Sequence, residues 1–428
     1  MLIQDETSLV VQSTALRGSV SVPGDKSISH RAVLMGMLAE GETHVTGWLA
    51  AGDTEASLGA ARTLGVPVER VSQTELRIQG GALQAPDEPL NLVNAGTGIR
   101  LLAGIMVGQP FPSVLDGSAQ LRRRPMKRIT DPLQQMGAQI TADDMKAPLH
   151  IAPAALKGIT YTMPMASAQV KSAILLAGLF AEGATTVIQP GPARDHTERM
   201  LQAMGAHLVV EGDSVTLTPG AKLQPMTLEV PGDFSSAAFL MVAGAIVPES
   251  DITITHVNLN STRTGLLDVL LAMGANITVT ETGLEAGEPV GDIRVQYSAL
   301  TGVEIGGDMV VRMIDEFPAL MVAALMAEGE TVVRDAQELR VKETDRIAVM
   351  SGELRKLGAV ITETEDGFRI TGPQTLTGAV VDGHDDHRVA MSMTVAGLVA
   401  QGQTTVTDAT CANDSFPGFA ETLRRLEI

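Results

Sequence analysis

The sequence predicts an α/β protein of two domains, each made of three repeated units of about 70 residues. The first sign is a helix-ending phrase, Leu-Gly or Met-Gly-Ala, which follows an apolar run and precedes β-branched residues. Glycine accepts the left-handed conformation that commonly closes a helix, so each phrase predicts a helix followed by a strand. The phrase recurs at intervals of 72, 68, 69 and 84 residues, with its glycines at Gly65, Gly137, Gly205, Gly274 and Gly358.

A second repeated phrase divides the six units into two sets of three. Val-Pro-Gly-Asp-Lys-Ser at 22–27 returns as Val-Pro-Gly-Asp-Phe-Ser at 230–235, an offset of 208 residues. Because Pro-Gly interrupts the pattern at both places, we expect one domain over 22–232 and a discontinuous domain that joins 1–21 to 233–428. Each unit holds two strand–helix passages, which predicts a helix-rich interior or one-sided sheets. The alternative is chance agreement among common Gly-Ala phrases.

Composition excludes several classes of function. Fifty acidic and 31 basic residues give a formal charge of -19, so the electrostatic potential of the chain repels nucleic acid. Only 3% of the residues are aromatic, so few side chains can stack on bases. The single cysteine, Cys411, excludes an intrachain disulfide and a cysteine metal site, and favours a reducing compartment. The first 16 residues carry no Lys or Arg, and no apolar run is long enough to span a membrane. We expect a cytoplasmic protein without nucleic-acid or membrane partners.

The segment 25–31 predicts an anion site at the start of a helix. Asp-Lys-Ser-Ile-Ser-His-Arg follows Pro-Gly and leads into an apolar run, so Lys26 and the free N–H groups of the first turn face the same way. Ser27 and Arg31 are four residues apart and share a helical face. The segment lacks the glycines of a phosphate-binding Walker loop. A solvated, capped helix start is the alternative.

Two further helix starts in the first half have the same character. Asn-Ala-Gly-Thr-Gly-Ile-Arg at 94–100 would let a ligand approach the backbone at Gly96, but it lacks the third glycine of a dinucleotide fingerprint. In the segment 165–172, Ser167 is a plausible N-cap, and Gln169 and Lys171 are expected to be available to ligands.

The first half also concentrates positive charge. Five cations lie within positions 122–128, and the segment 194–199 adds Arg194 and Arg199. In an acidic protein with few aromatic residues, such a run favours a small, multiply charged ligand over a polyanion, and the guanidinium of Arg124 and its neighbours suits carboxylate and phosphate. A solvated charged face is the alternative.

The second half supplies carboxylates beside cations. Asp315 and Glu316 open an apolar helix, Arg340–Arg346 places Lys342 and Arg346 on either side of Glu343, and Asp385–Arg388 opens the last long apolar run. Each could equally form surface salt bridges. His-x-x-His at 384–387 with two acids fits a metal site only loosely, and we expect no metal and no cofactor. Taken together, cationic helix starts in both halves predict an interdomain cleft that binds more than one anion.

The chain resembles the 5-enolpyruvylshikimate-3-phosphate synthases of the enolpyruvyl transferase family. The resemblance covers nearly the whole chain and rests on seven ordered blocks, at 25–31, 94–100, 121–126, 166–172, 315–318, 339–346 and 386–388. Ala-Ser-Ala-Gln and Arg-Asp-His-Thr-Glu-Arg are similar to the class II branch, and Asp414 stands where some members have lysine. The resemblance implies a two-domain inside-out α/β barrel with the active site in the interdomain cleft.

The resemblance also implies a reaction and roles for residues. The family adds phosphoenolpyruvate to the 5-hydroxyl of shikimate 3-phosphate and eliminates phosphate through a tetrahedral intermediate, in the shikimate pathway to chorismate and the aromatic amino acids. Asp315, Glu343 and Lys26 would carry proton transfer. Shikimate 3-phosphate would contact Lys26, Ser27, Arg31, Ser167, Gln169, Arg194, Asp315 and Lys342. Phosphoenolpyruvate would contact Lys26, Gly96, Arg124, Gln169, Arg346 and Arg388. A monomer is expected.

Two alternatives stay open on the sequence. The sister enzyme, UDP-N-acetylglucosamine enolpyruvyl transferase, shares the fold and the enol donor, but it uses a cysteine or aspartate on a first-half loop, and Cys411 lies in the other half. The second alternative is a non-catalytic homologue that binds phosphorylated ligands. The presence of Lys26, Asp315 and Glu343 argues against it.

Overall fold

The chain folds into two compact units in the computed structural model, which describes residues 2–4 and 7–428. We call residues 24–230 with 284–288 the inserted unit, and the segment up to Pro23 with 231–283 and 289–428 the split unit. The limits expected from the sequence lay two residues away, at 22 and 232. The assignment of 284–288 to the inserted unit had no counterpart in the sequence pattern.

The described residues form the following elements. The strands are β1 (Leu2–Gln4), β2 (Leu9–Gln12), β3 (Arg17–Ser21), β4 (Gly41–Thr46), β5 (Val68–Ser72), β6 (Glu75–Gly80), β7 (Leu90–Asn91), β8 (Ser113–Asp116), β9 (Gln139–Thr141), β10 (Leu149–Ala152), β11 (Thr160–Thr162), β12 (Thr185–Ile188), β13 (His207–Glu211), β14 (Ser214–Thr218), β15 (Thr227–Glu229), β16 (Asp251–Asn258), β17 (Asn276–Glu285), β18 (Glu288–Gln296), β19 (Glu304–Ile305), β20 (Gly329–Val333), β21 (Thr362–Glu363), β22 (Phe368–Gly372), β23 (Val380–Asp382) and β24 (Gln403–Thr407). The α-helices are α1 (Lys26–Gly36), α2 (Gly52–Thr63), α3 (Gly96–Met106), α4 (Ala119–Arg122), α5 (Lys127–Gln135), α6 (Ala168–Gly178), α7 (His196–Ala203), α8 (Phe234–Ile246), α9 (Gly265–Ala272), α10 (Asp308–Arg312), α11 (Phe317–Met326), α12 (Arg346–Lys356), α13 (His387–Gly397) and α14 (Phe419–Leu426). Short 3-10 helices span Asp143–Met145, Gln337–Val341 and Ala409–Asp414.

The strands form six four-stranded sheets over the described ranges, three in each unit, as the repeats predict. The inserted unit holds the sheets β15-β4-β6-β5, β7-β8-β10-β9 and β11-β12-β14-β13. The split unit holds β3-β16-β18-β17, β19-β20-β22-β21 and β23-β24-β2-β1. Each sheet begins with a parallel pair, for example β7 with β8, and continues with an antiparallel pair, as β8 with β10. The common strand order indicates that the six sheets are copies of one structural unit, although three of them include strands from distant parts of the chain.

Glycines end the helices where the sequence predicted. The residue after each helix-ending Leu or Met has a φ between +79° and +101°, a region that side chains with a Cβ rarely adopt. The glycines are Gly65, Gly137, Gly205, Gly274 and Gly358.

Each unit has its own hydrophobic core around three central helices. In the split unit, α8, α11 and α13 pack against one another and against the sheets, and every residue of α8 and α13 is buried. In the inserted unit, α3 packs closely on α6, and α1 packs on α3. A helix that is apolar on all sides is stable when it is surrounded by protein, which explains why these runs lack a polar face. The fold is therefore α/β with helices inside the sheets, and the inside-out α/β barrel is confirmed.

A search of the described residues for a membrane-spanning helix finds none with the necessary length and apolarity.

Close approach of α3 and α6 depends on a glycine, and a single substitution tests it. A Cβ at Gly104 would lie 2.2 Å from the carbonyl oxygen of Ala173 and 2.8 Å from its Cα, so the backbones would have to move apart. We expect Gly104→Ala to lower the free energy of unfolding by about 2–3 kcal/mol, measured by urea denaturation. Gly59→Ala is the control, because Gly59 is also helical and nothing lies within 4 Å of its added Cβ. This control should be neutral or stabilising by up to about 1 kcal/mol. Equal effects of the two changes would contradict the account.

Candidate active site

The start of α1 presents a lysine held by an aspartate. Asp25 is the N-cap, and its carboxylate accepts a hydrogen bond from the backbone N–H of Ile28 at 2.9 Å. Lys26 Nζ lies 2.5 Å from Asp53 Oδ2 in the first turn of α2, and both side chains keep about a fifth of their surface exposed, 21% and 19%. Asp53 was missed by the sequence reasoning. The sequence does show an acidic residue just after Gly52 at a helix start, but such a residue usually only stabilises the helix dipole.

Arg31 lies one turn further along α1, where it is buried and donates a hydrogen bond from each of its three nitrogens. Its Nε donates to Thr197 Oγ1 at 2.8 Å, and its Nη2 donates to Ser172 Oγ at 2.9 Å. Nη1 donates to the carbonyl oxygen of Ser27 at 2.9 Å. Burial lowers the pKa of Arg31 to about 10, while nearby carboxylates, first among them Glu198, oppose that shift. Arg31 is therefore a fixed cation at neutral pH.

His30, between these two cations, is neutral. Its ring is buried, and Nδ1 lies 2.8 Å from Ser57 Oγ. Burial lowers the pKa of His30 to about 3, and the charges of Lys26 and Arg31 act in the same direction, against Asp53. His30 therefore packs as an uncharged side chain at physiological pH.

The starts of α3 and α6 meet through hydrogen-bonded side chains. Gln169 Oε1 accepts from Arg100 Nη1, and Gln169 Nε2 donates to Thr97 Oγ1, both at 3.0 Å. A Cβ on Gly96 would lie 2.6 Å from Arg124 Nη1, so the guanidinium of Arg124 rests directly against the backbone at this helix start. Glycine at 96 therefore leaves room for the guanidinium. Arg100 also donates to the carbonyl oxygen of Gly96 at 3.1 Å.

Lys171 does not face ligands as expected. Its side chain is 1% exposed, and Nζ lies 2.5 Å from Glu198 Oε1 and 3.0 Å from Gln189 Oε1. The prediction of an available lysine was wrong, because a buried ammonium must be paired and hydrogen-bonded. Ser167 caps α6 as predicted, since its Oγ accepts from the N–H of Val170.

The run of cations at 122–128 separates into different environments. Arg122 forms an exposed ion pair with Asp116, and Lys127 pairs with Asp131 at 2.8 Å. Arg124 is half-buried against Gly96. Arg194 is half-buried, and its charge acts on Arg31. The inserted-unit cluster, as we name these predicted residues, consists of Lys26, Ser27, Arg31, Gly96, Arg124, Ser167, Gln169 and Arg194.

In the split unit, the central group is the buried guanidinium of Arg346. Its side chain is 2% exposed, and Nε donates to Asp386 Oδ2 at 2.9 Å while Nη2 donates to Glu343 Oε2 at 2.7 Å. Nη1 lies 3.5 Å from Asp315 Oδ1. Burial alone would lower the pKa of Arg346, but Asp386, Glu343 and Asp315 outweigh it and raise the pKa.

Asp315 connects a second arginine to this group. Arg388 Nη1 donates to the backbone carbonyl of Asp315 at 3.1 Å, and Arg388 Nη2 lies 3.8 Å from Asp315 Oδ2. The side chain of Asp315 is 17% exposed, between the 26% of Glu343 and the buried Asp386, so it remains partly accessible beside two buried arginines. Lys342 pairs with Glu338 at 3.2 Å. The split-unit cluster consists of Asp315, Lys342, Glu343, Arg346 and Arg388.

Asp386 organises the split-unit cluster, although the sequence analysis placed it only at a helix start and gave it no role in the site. It is fully buried, caps α13 by accepting from the N–H of Arg388 at 3.0 Å, and accepts from Thr344 Oγ1 at 3.0 Å. Burial raises the pKa of Asp386, but the charge of Arg346 outweighs it and holds the pKa below the usual value. His384 Nε2 lies 2.7 Å from Glu353 Oε1, within hydrogen-bond distance.

Comparisons with known proteins agree on one family. The sequence model of EPSP synthase (3-phosphoshikimate 1-carboxyvinyltransferase) matches residues 10–423. A 3-phosphoshikimate 1-carboxyvinyltransferase of Citrifermentans bemidjiense is 53% identical over 414 residues, 96% of both chains, and one of Desulforudis audaxviator is 50% identical over 99% of this chain and 100% of its own. The solved structure of EPSP synthase from Acinetobacter baumannii has a TM-score of 0.90 and 45% identity, and the match covers 98% of each chain.

The two barrels of three repeats, with arginines and carboxylates at the starts of their central helices, define an enzyme of the enolpyruvyl transferase class. Within that class, the chain belongs to the EPSP synthase (3-phosphoshikimate 1-carboxyvinyltransferase) family.

Removal of the Asp386 charge tests the Arg346 group. We expect Asp386→Asn to lower the stability at pH 7 by about 3 kcal/mol, because a buried guanidinium loses a carboxylate partner. Because folding lowers the pKa of Asp386, the ionised carboxylate contributes its full stabilisation above about pH 4. That contribution is lost as the pH falls through the pKa of the folded protein. The difference in unfolding free energy between wild type and Asp386→Asn should therefore become smaller below pH 4. Urea midpoints over pH 3–7 measure this.

Asp385→Asn is the matched control for this measurement. Asp385 is the exposed neighbour and has a positive φ of 52°, which asparagine tolerates. Its change should move the midpoint little. A gap between wild type and Asp386→Asn that is the same at pH 3 and pH 7 would contradict the assigned charge interaction.

Proposed function

We propose that this protein transfers the carboxyvinyl group of phosphoenolpyruvate to the 5-hydroxyl of shikimate 3-phosphate and releases inorganic phosphate. The observation that carries the proposal is family membership over residues 10–423 with both clusters intact. The reaction joins two anions, and both clusters are rich in guanidinium groups that suit carboxylate and phosphate. The activity belongs to the shikimate pathway and supplies aromatic amino-acid synthesis.

Substrate binding is assigned to the two clusters together. Arg31 and the amide of Gln169 are already hydrogen-bonded to Thr197 and Arg100 before a substrate arrives, so they are positioned for a phosphate and for ring hydroxyls. Arg194 supplies a further positive charge near Arg31. For shikimate 3-phosphate we propose contacts with Lys26, Ser27, Arg31, Ser167, Gln169, Arg194, Asp315 and Lys342. For phosphoenolpyruvate we propose contacts with Lys26, Gly96, Arg124, Gln169, Arg346 and Arg388.

Proton transfer is assigned to three groups. In the addition step, C3 of the enol gains a proton while the 5-hydroxyl attacks C2 and loses its proton to Asp315. In the elimination step, C3 returns a proton, the C2–O bond to phosphate breaks, and the double bond re-forms. Lys26 and Glu343 are the candidates for the proton at C3. Arg346 and Arg388 stabilise the charge of the carboxylate and of the departing phosphate.

The sister reaction with a nucleotide sugar is less well supported. That reaction uses an acidic or thiol group on a first-half loop, whereas Cys411 is buried in the split unit, and burial raises the pKa of its thiol. A buried, neutral thiol neither donates nor accepts protons readily at neutral pH. We also propose that the protein is a monomer in the cytoplasm, which the single cysteine and the acidic charge of the chain support.

The experiment that tests the function is phosphate release with two acceptors. We expect the protein with phosphoenolpyruvate to release phosphate when shikimate 3-phosphate is added, and not with UDP-N-acetylglucosamine, because the cationic clusters match a phosphorylated carboxylate. Release with the nucleotide sugar alone would overturn the assignment. Binding of shikimate 3-phosphate without release under any condition would support the non-catalytic homologue.

Asp315 and Lys26 test the proton-transfer roles. We expect Asp315→Ala and Lys26→Met each to lower kcat at least 100-fold, the size of a lost acid–base group, with the protein still folded by circular dichroism. Asp308→Ala is the control, because Asp308 is an exposed acid on the neighbouring short helix α10. A kcat within threefold of wild type for Asp315→Ala would exclude it as the base.

A further inference from the structure

The turn between β17 and β18 belongs to the inserted unit, although both strands lie in a sheet of the split unit. The structure groups residues 284–288 with 24–230. We call these residues the hairpin tip. The two residues at its corner, Ala286 and Gly287, have φ of +47° and +83°, the left-handed pair of a type I′ hairpin turn. The tip is therefore tightly turned, and it places Glu288 at its inner end.

Glu288 and His196 form a buried pair across 92 residues of sequence. His196 Nδ1 lies 2.7 Å from Glu288 Oε1, and both side chains are completely buried. Arg199 adds a second connection, because its Nη1 donates to the backbone carbonyl of Gly287 at 2.7 Å. Side chains at the first and fourth positions of α7 thus hold the tip. A buried polar side chain that loses such a partner is left without a hydrogen bond, which costs free energy.

The same end of α7 carries parts of the proposed substrate site. Thr197, next to His196, accepts the hydrogen bond from Arg31 Nε. Its Oγ1 also lies 2.7 Å from Ser172 Oγ. Arg194 precedes the helix by two residues. The charge of Glu288 acts on Arg31 as well. A shift of the start of α7 would therefore move two of the arginines assigned to shikimate 3-phosphate.

A metal ion at this place is a weaker interpretation. Ligand atoms of Asp195, His196 and Glu288 lie within 4.8 Å of one another in the part of the chain described. However, Asp195 Oδ2 already accepts from Arg199 Nε at 2.9 Å, so a guanidinium supplies positive charge there. The cluster is a set of hydrogen-bonded side chains around the start of α7, with one ion pair between Asp195 and Arg199.

We propose that Glu288 and His196 are positioning residues for shikimate 3-phosphate: by fixing the hairpin tip to α7, they hold Arg194, Thr197 and through it Arg31 in the binding geometry. The inference rests on the proposed function. It assigns a part in substrate affinity to the β17–β18 hairpin, which contains none of the seven sequence blocks named above.

The direction in which removal of the Glu288 charge changes the affinity for shikimate 3-phosphate distinguishes a positioning role from a purely electrostatic one. Loss of a carboxylate near Arg31 would by itself make the site more positive and tighten binding of a phosphate. Loss of positioning would weaken it. We expect Glu288→Gln to raise KM for shikimate 3-phosphate at least fivefold and to change KM for phosphoenolpyruvate less than twofold, measured by steady-state phosphate release. An unchanged or lower KM for shikimate 3-phosphate would overturn the proposal.

Partner variants complete the test. His196→Phe should match Glu288→Gln, and the double variant should lose little more than either, because the two residues act as one pair. His196→Asn, whose amide can replace Nδ1, should restore KM to within threefold of wild type. Additive losses, or no rescue by asparagine, would contradict the pair. Glu281→Gln is the matched control, an exposed acid on the same hairpin, and should leave both KM values unchanged.

A third variant and the wild-type protein complete the experiment. If Glu288→Gln fails to fold, Arg199→Gln carries the test, because Arg199 is half-exposed and holds the tip through Gly287; a KM for shikimate 3-phosphate less than threefold above wild type would then overturn the proposal. Wild-type protein is assayed alongside. Absence of phosphate release by wild type would refute the proposed function, whereas active wild type with unaffected variants would refute the positioning role only.

Discussion

The central constraint of this structure is that buried helices begin where the polar and charged side chains of the two clusters lie. A helix leaves its first N–H groups without partners inside the helix, and burial makes unpaired groups costly. Asp25, Ser167, Asp233 and Asp386 cap α1, α6, α8 and α13 through their side chains. Polar and charged residues therefore gather where apolar helices start. A catalytic cluster can form at such a place without disturbing the apolar core that each unit has around its helices.

Charge compensation is the second constraint. The buried guanidinium of Arg346 is stable because Asp386, Glu343 and Asp315 surround it, and Lys26 is held by Asp53. These carboxylates hold the cations in place, so the proposed binding of substrates would require little reorganisation. The two clusters are the proposed local sites for anions in a chain with a formal charge of -19. The acidic residues on the remaining surface do not cancel these sites, because interactions between exposed charges are screened beyond about 10 Å.

The sequence predicted most of the fold for a local reason. Helix ends depend on glycine, and a left-handed residue is required at the same point of each repeat, so Gly65 and its equivalents mark the units without any knowledge of tertiary contacts. Motifs at helix starts identified Arg31, Arg346 and Arg388 in the same way. Pairings between distant residues were not predictable. Lys171 forms an ion pair with Glu198, 27 positions away in the sequence, and Glu288 contacts His196, 92 positions away. Periodicity carries no information on such contacts.

The account depends on the claim that the cations held at these helix starts receive the substrates. A crystal structure of the protein with shikimate 3-phosphate and an unreactive analogue of phosphoenolpyruvate tests this most directly. The account predicts the ring and phosphate of the first ligand on Ser27, Arg31 and Gln169, and the carboxylate or phosphate of the second on Arg124, Arg346 and Arg388. Both ligands bound elsewhere, with these arginines still engaged only by their carboxylates, would contradict it.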